Sequence, residues 1–314
     1  MLGALWPTSG AASSRQWLDI LRTRLGGAHV LGDAVMETAI RAGVSTTLSA
    51  REPGYSAVRE CLKRQSSARP RGQLAIFLGL SPLHPDARPA YIDAMGAIAA
   101  ASRLEQLSDD WTVVNSVPLG AGDGELDHLV IGPGGVFVLA TRNYRGRRVR
   151  AGGNILAVDG HKTEEIRAIR YAERRATDVL RQAIGAHVTI SPVIVVADCA
   201  SLTIESKAPA VPVLSIDRIP RWFHNRDRVL SDAAVKRIVE VAQRDSTWNS
   251  SGKPLGDGLR CSQRFDRLRR EVDAAHTRAR QLALVGMGAS AIAVGSALAI
   301  MLPGIICSVM ASVP

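Results

Sequence analysis

Lysine is almost missing from a chain that is nonetheless strongly basic. It occurs only at Lys63, Lys162, Lys207, Lys236 and Lys253, so the formal charge of +10 at pH 7 rests on arginine. Arginine keeps its proton under all ordinary conditions and grips phosphate or carboxylate with two hydrogen bonds, so the skew suits anionic partners, although a GC-rich coding sequence produces the same bias. Aromatic residues make up 4% of the chain, which leaves little for stacking single-stranded bases along a surface. The four cysteines, Cys61, Cys199, Cys261 and Cys307, lie far apart with no Cys-x-x-Cys and no histidine at ligand spacing. That pattern argues against a zinc site or a disulfide framework and fits a reducing cytoplasm. Neither GxxxxGK[ST] nor GxGxxG occurs, so nucleotide binding by a phosphate loop is not expected. The opening residues, MLGALWPTSGAASSRQW, lack the basic stretch and sustained apolar core of a secretory signal.

A second absence lies at the other end. From Leu282 to Pro314 there is neither a charged residue nor a histidine, and LALVGMGASAIAVGSALAIML supplies 21 residues before Pro303-Gly304. A helix of that length reaches about 31 Å, enough for a hydrocarbon core of roughly 30 Å. The expectation is one transmembrane helix over residues 282–302, preceded by a basic juxtamembrane helix from Arg260 to Arg280. Arg264, Arg267, Arg269, Arg270, Arg278 and Arg280 precede the segment and nothing charged follows it. The positive-inside rule therefore places residues 1–280 in the cytoplasm of a single-pass cell-membrane protein. Ala289, Ala293 and Ala297 recur at four-residue spacing, the pattern of small residues that lets two such helices form a homo-oligomer.

With 46% hydrophobic residues the rest has the makings of a packed core. Residues 1–86 read as a helical region in which no chemistry is evident, and residues 249–280 as a linker and the juxtamembrane helix. Between them, residues 88–248 follow an α/β order. A helix is expected over Pro89 to Leu107, a strand over Thr112 to Val117, a hairpin around Gly152-Gly153-Asn154 and a long helix over Thr163 to Ile184. Val188 to Ala197 is apolar on both faces in the manner of a buried parallel strand, Val211 to Leu214 is another strand, and Ser231 caps a last helix.

The most informative stretch runs from Gly124 to Gly146, GELDHLVIGPGGVFVLATRNYRG. It reads as two apolar strands reversing at Gly132-Pro133-Gly134-Gly135. Residues i and i+2 share a strand face, so positions 140 and 142 project together toward Asp127, and Glu125 shares a face with Asp127. His128 turns to the other face and reads as structural. The plain alternative for Asp127 is a solvated strand-end carboxylate or a turn cap.

This stretch resembles the nuclease-related domain (NERD) family, in its acidic-apolar-Asp-His strand, its Gly-Pro-x-Gly turn and its Asn-aromatic-x-Gly ending. The resemblance covers roughly Arg88 to Trp248 and implies a restriction-endonuclease-like mixed sheet flanked by helices, with an Asp followed by Glu-x-Lys on the next strand. Here Ala140 and Arg142 stand in the Glu and Lys places, and Ala100 in Gly96-Ala97-Ile98-Ala99-Ala100 stands where the family shows a further acid. The resemblance thus implies a remnant catalytic site of Asp127, Glu125 and Arg142. Arg142 still presses positive charge on a phosphate, but its pKa above about 12 bars it from acting as a base.

Arg142, Arg145, Arg147, Arg148 and Arg150 place five guanidinium groups within nine residues. The last four are the candidate nucleic-acid-binding rim, against the plain reading of a solvated loop and hairpin. The leading expectation is a membrane-anchored, catalytically degenerate nuclease-fold module that binds nucleic acid or a partner protein and needs no cofactor. One alternative is a divergent nuclease in which Asp127 and Glu125 hold Mg²⁺. Another is an interaction module for protein or acidic lipid, without nucleic-acid binding.

Overall fold

The computed structural model describes residues 48, 51–67, 71–119, 124–205, 207–248, 258 and 260–284. The described residues all belong to one compact unit, which begins at residue 47. The expected transmembrane helix lies outside them except for Leu282, Ala283 and Leu284. Among the described residues no helix is long and apolar enough to cross a membrane.

A mixed five-stranded sheet lies at the centre. Its strands are β1 (Thr112–Pro118), β2 (Glu125–Gly132), β3 (Gly135–Asn143), β7 (Ile190–Ala197) and β9 (Val213–Ser215), in spatial order β1-β2-β3-β7-β9. The first three form an antiparallel meander, and β7 and β9 add in parallel. A smaller sheet holds β4 (Arg148–Gly152), β5 (Ile155–Val158), β6 (His161–Lys162) and β8 (Ser201–Ile204) in order β6-β5-β4-β8.

Alternation along the strands feeds two apolar layers. On one face Val136 and Val138 of β3 and Ile194 and Val196 of β7 meet Ile166, Ile169, Ala176 and Leu180 of the amphipathic helix α4 (Glu165–Ile184). On the other, Phe137, Leu139, Val193 and Val195 meet Ala100 and Leu104 of α3 (Arg88–Leu104) and Phe223 of α5 (Ile219–His224). The helix α6 (Asp232–Ala242), followed by the short α7 (Asp245–Trp248), joins the α4 side, and the Ser231 hydroxyl accepts a hydrogen bond from Ala234 N–H at the start of α6, as expected of a cap. This is a mixed sheet between helices, as the sequence implied.

Two helices from outside the core segment lie on α3. The first, α1 (Tyr55–Gln65), starts at Gly54, where φ is +71° and an added Cβ would come within 3.2 Å of Ala97 Cβ. The second, α8, spans residues 260–284 and turns Phe265, Leu268, Val272 and Ala275 inward, with Phe265 5.5 Å from the Tyr91 ring of α3. That 3-4-3 spacing is a helix stripe facing a core. The basic helix expected from Arg260 to Arg280 is thus present and is packed on the domain up to Ala275.

The reversal at Gly132 is closed by Trp111. Its ring carbon Cε3 lies 2.4 Å from where a Cβ on Gly132 would stand, and its ring meets Phe223 edge-on with centroids 5.0 Å apart. Gly132→Ala must displace an indole that the aromatic cluster holds in place. Overpacking of that kind costs roughly 1–3 kcal/mol. The expected outcome is a lowered urea midpoint with a changed tryptophan emission, and an unchanged midpoint would show that Trp111 is free to move.

Candidate functional site

The pairing of β2 with β3 ends at His128–Leu139, while β3 continues beside β7 as far as Asn143–Ala197. On the other side of β2, Ser116 of β1 takes the left-handed φ of +53° and the register omits its pairing with Asp127. The strands therefore splay at Asp127, at the carboxyl end of the parallel β3–β7 pair. A buried backbone N–H at such a place needs an acceptor. Asp127 supplies it: its Oδ2 accepts the Thr141 N–H at 2.6 Å.

The same oxygen lies 3.3 Å from Arg142 Nη1, while Arg142 Nε donates to Glu165 Oε2 at 2.6 Å and Nη1 also donates to the Thr141 carbonyl at 2.8 Å. One guanidinium is thus held by two carboxylates and a carbonyl. The three side chains are largely enclosed, with 31% of Arg142, 24% of Asp127 and 22% of Glu165 exposed. Glu165 is the first residue of α4, and a carboxylate in a first helical turn is favoured by the helix dipole. Asp93 of α3 completes the cluster from the exposed rim.

The fields follow from this arrangement. Burial pushes Asp127 up to about 6, against the pull of Arg142 and of the Thr141 N–H, with Glu125 and Asp93 adding to the rise. Burial also raises Asp93, opposed by Arg142. For Arg142 burial works toward a lower pKa, but the fields of Asp127, Glu165 and Asp93 outweigh it and leave the pKa raised. Three carboxylates around one guanidinium leave a formal charge of −2 when all are ionised. Tyr144 stands over Glu165 with its pKa raised by burial first and by Glu165 second, and its hydroxyl finds no hydrogen-bond partner of good geometry.

The structure brings Asp127 and Arg142 together as the strand spacing implied, but Glu125 does not join them. Its carboxylate accepts from Ser56 Oγ at 2.6 Å, from Ser56 N–H at 3.3 Å and from Arg51 Nη2 at 3.1 Å, so it fastens α1 to β2. Ala140 packs against the apolar layer beneath α4 and offers no donor. Ala100 is fully buried in the opposite apolar layer, and the acid that α3 contributes is Asp93, nearly two turns earlier. His128 is fully buried on the α3 side, with Nδ1 2.8 Å from Asn115 Oδ1 and Nε2 without a hydrogen-bond partner of good geometry, and burial, opposed by the Ala97 backbone, lowers its pKa to about 4.

Asp93 and Glu165 escaped the sequence reading. Glu165 had a usable signal, an acid at the start of a strongly amphipathic helix. Asp93 had none beyond its place on the helix before the motif. This donor set does not fit Mg²⁺ as the alternative of a divergent nuclease would have Asp127 and Glu125 hold it. Asp127 and Glu165 are bound to Arg142 and Glu125 to Arg51 and Ser56, and among the described residues no three His, Cys, Asp or Glu side chains are grouped to hold a metal ion.

The four rim arginines are exposed. Arg147 pairs with Asp159 at 2.8 Å and Arg150 with Glu205 at 2.9 Å, whereas Arg145 and Arg148 have no ion-pair partner among the described residues.

Residues 93–197 match the family model of the nuclease-related domain, from the rim acid Asp93 to the last residue of β7. No curated protein and no solved structure matches the chain.

Asp127 and His128 should set opposite pH dependences. With Asp127 raised to about 6, the folded state binds more protons than the unfolded one between about pH 4 and 6, so this group makes stability fall as pH rises. With His128 lowered to about 4, the unfolded state binds more protons between about pH 4 and 6.5, and stability rises with pH. Each is worth about 3 kcal/mol over its window, so the two nearly cancel in the parent. Asp127→Asn should leave a profile that climbs from pH 4 to 6.5 and His128→Asn one that descends, read from urea midpoints at a series of pH values. Parallel profiles in the two variants would refute the assignment.

Proposed function

We propose that the nuclease-related domain carried by residues 93–197 has lost phosphodiester cleavage and serves as a basic binding module for nucleic acid, held at a membrane by the segment 282–302. One observation carries the first half: the Arg142 guanidinium is bonded to Asp127 and Glu165, so a fixed organic cation sits among the carboxylates that a metal-dependent nuclease would turn toward a divalent ion. Hydrolysis assisted by a metal requires that the ion reach both carboxylate and phosphate and that water bound to it lose a proton. Arg142 supplies charge but neither a water ligand nor a base. Ala140 adds no oxygen.

For the second half the support is the exposed rim. The side chains of Arg145 and Arg148 form no ion pair among the described residues, and the exposed pairs of Arg147 and Arg150 are screened by solvent, so phosphate competes for them readily. The arrangement favours sequence-independent contact with the backbone rather than base reading.

Full-length protein in detergent is expected to leave plasmid DNA uncut with Mg²⁺ or Mn²⁺, at least about a thousandfold below an active nuclease. Cleavage that EDTA stops and Asp127→Ala abolishes would overturn the proposal in favour of a divergent nuclease. Arg142→Ala is a sharper probe. It leaves two enclosed carboxylates without their cation and should cost about 2–4 kcal/mol, part of it recovered on adding Mn²⁺, whereas the parent gains nothing from the metal. Equal Mn²⁺ responses in parent and variant would show that the guanidinium does not occupy the cation's place.

Nucleic-acid binding should weaken with salt. Two to four neutralised phosphates give a slope between about −1.8 and −3.6 in log K against log salt for duplex DNA. Replacing Arg145, Arg147, Arg148 and Arg150 with alanine should flatten that slope, and unchanged binding would reduce the rim to a solvated surface.

A further inference from the structure

The short helix α2 (Gln73–Phe77) buries none of its side chains, although four of its five residues are apolar. Leu74 is 71% and Phe77 67% exposed, and Ile76, Leu78 and Leu80 are exposed with them. Five large apolar side chains within seven residues form a contiguous patch of the kind that marks an interaction surface.

This knob is fastened to α8. Gly79 takes a φ of +69°, and a Cβ there would lie 2.6 Å from the Ala275 carbonyl and from Ala279 N, so the turn after α2 rests directly on the helix backbone. Arg71 reaches Glu271 at 3.6 Å and donates to the Leu80 carbonyl at 2.8 Å, and Arg278 donates to the Ile76 carbonyl at 3.4 Å. A shallow groove of about 520 Å³ separates α2 from α8, with Phe77 on one wall and Leu282 on the other. Ala275 is the last buried residue of α8 among the described ones, and beyond it the helix touches only the α2 turn and carries the exposed Arg278, Arg280, Leu282 and Leu284.

Position, chemistry and chain direction agree on one occupant. The knob sits at the end of α8 from which the chain continues uncharged to Pro314. Arg278 and Arg280 stand on the same part of α8, where they suit anionic headgroups, and their apolar stems suit the boundary between headgroup and acyl chain. We propose that α2 and the turn Leu78–Leu80 dip into the interfacial layer of a bilayer containing anionic lipid, as a second membrane contact that fixes how the domain stands on the surface. This rests on the reading that residues 282–302 span the membrane. It adds a monotopic contact, in which apolar side chains lie in the interface without crossing it.

The test uses the full-length protein in vesicles of phosphatidylcholine and phosphatidylglycerol. A polarity-sensitive fluorescent amino acid is placed at Phe77, at Arg174 on the exposed face of α4, or at Ala293. Quenching is read with iodide and with lipids carrying a nitroxide near the headgroup or deep in the chain. The label at Phe77 should be blue-shifted and quenched by the shallow nitroxide, that at Arg174 by iodide, and that at Ala293 by the deep nitroxide. A label at Leu78 should lose its shallow quenching in the variant Leu74→Asp with Phe77→Asp, which leaves the core untouched and should keep the parent's urea midpoint. Iodide quenching at Phe77 while Ala293 stays deep would overturn the docking and leave the anchor standing. Absence of deep quenching at Ala293 would remove the anchor, and the label at Phe77 would still decide the docking. A label at Phe77 shielded from iodide and from both nitroxides would mean that the chain's own apolar segment covers the knob, which also overturns the proposal.

Discussion

Where β2 parts from β3, the Thr141 N–H loses its ladder acceptor, and the Asp127 carboxylate takes that role at 2.6 Å. The need is general, because an unpaired buried N–H costs about as much as a lost hydrogen bond. Meeting it with a carboxylate places a charge in an enclosed spot, which by itself is unfavourable and explains why Asp127 is pushed up to about 6. Arg142, one residue beyond Thr141 on β3, offsets part of that cost and in turn draws Glu165 from the start of α4. The cluster is best read as a chain of consequences from one strand separation. A backbone donor fixes the acid, the acid holds the arginine, and the arginine ties the sheet to the helix covering it.

The chemistry this permits differs from that of a lysine at the same place. A lysine is a compact charge on a flexible stem whose proton is removable when burial lowers its pKa. The fork of Arg142 instead satisfies two carboxylates and a carbonyl at once, and its pKa is raised, because the carboxylate fields outweigh burial. A divalent ion entering here would have to displace bonds already made, in a site where position 140 offers no replacement oxygen. The same bonds make the site a structural joint between β2, β3 and α4.

What the sequence disclosed depended on how local the cause was. The Gly124–Gly146 stretch announced its own strands, turn and facing positions, because alternation and glycine chemistry act within a few residues. Alternation put Asp127 and Arg142 side by side, and the resemblance to the nuclease-related domain marked them as site residues. The partners of Glu125 were not legible, since Arg51 and Ser56 lie 74 and 69 residues away and nothing in the pattern links a small helix to that strand. Ala100 drew the reading because it sits behind a glycine-alanine pattern, yet the tertiary placement of α3 puts it in the apolar layer and brings Asp93 to the site. The strand Ser201–Ile204 went unseen because it is short and mostly exposed, with its pairing to Arg148–Ala151 set by a parallel crossover through α4 and β7. Residues 282–302 were legible as apolar but lie almost wholly outside the described residues, so their spanning remains a proposal.

The helix α3 is where the site and the helix α8 share a support. Within three residues it presents Tyr91 to Phe265 of α8 and Asp93 to the field of Arg142 and Glu165. A Cβ added at Gly54, at the start of α1, would stand 3.2–3.4 Å from Ala94 and Ala97, and one added at Gly96 would stand 3.4 Å from Asn143 on the sheet side. Contacts that close leave no slack for α3 to slide, because interiors at crystalline density transmit displacement instead of absorbing it. The contact with α8 and the acid at the site therefore stand on one helix, while Glu125, held by Arg51 and Ser56, fixes α1 to the same strand that carries Asp127. The small side chains along α3, which have no chemistry of their own, are what allow three layers to meet over a single acidic cluster.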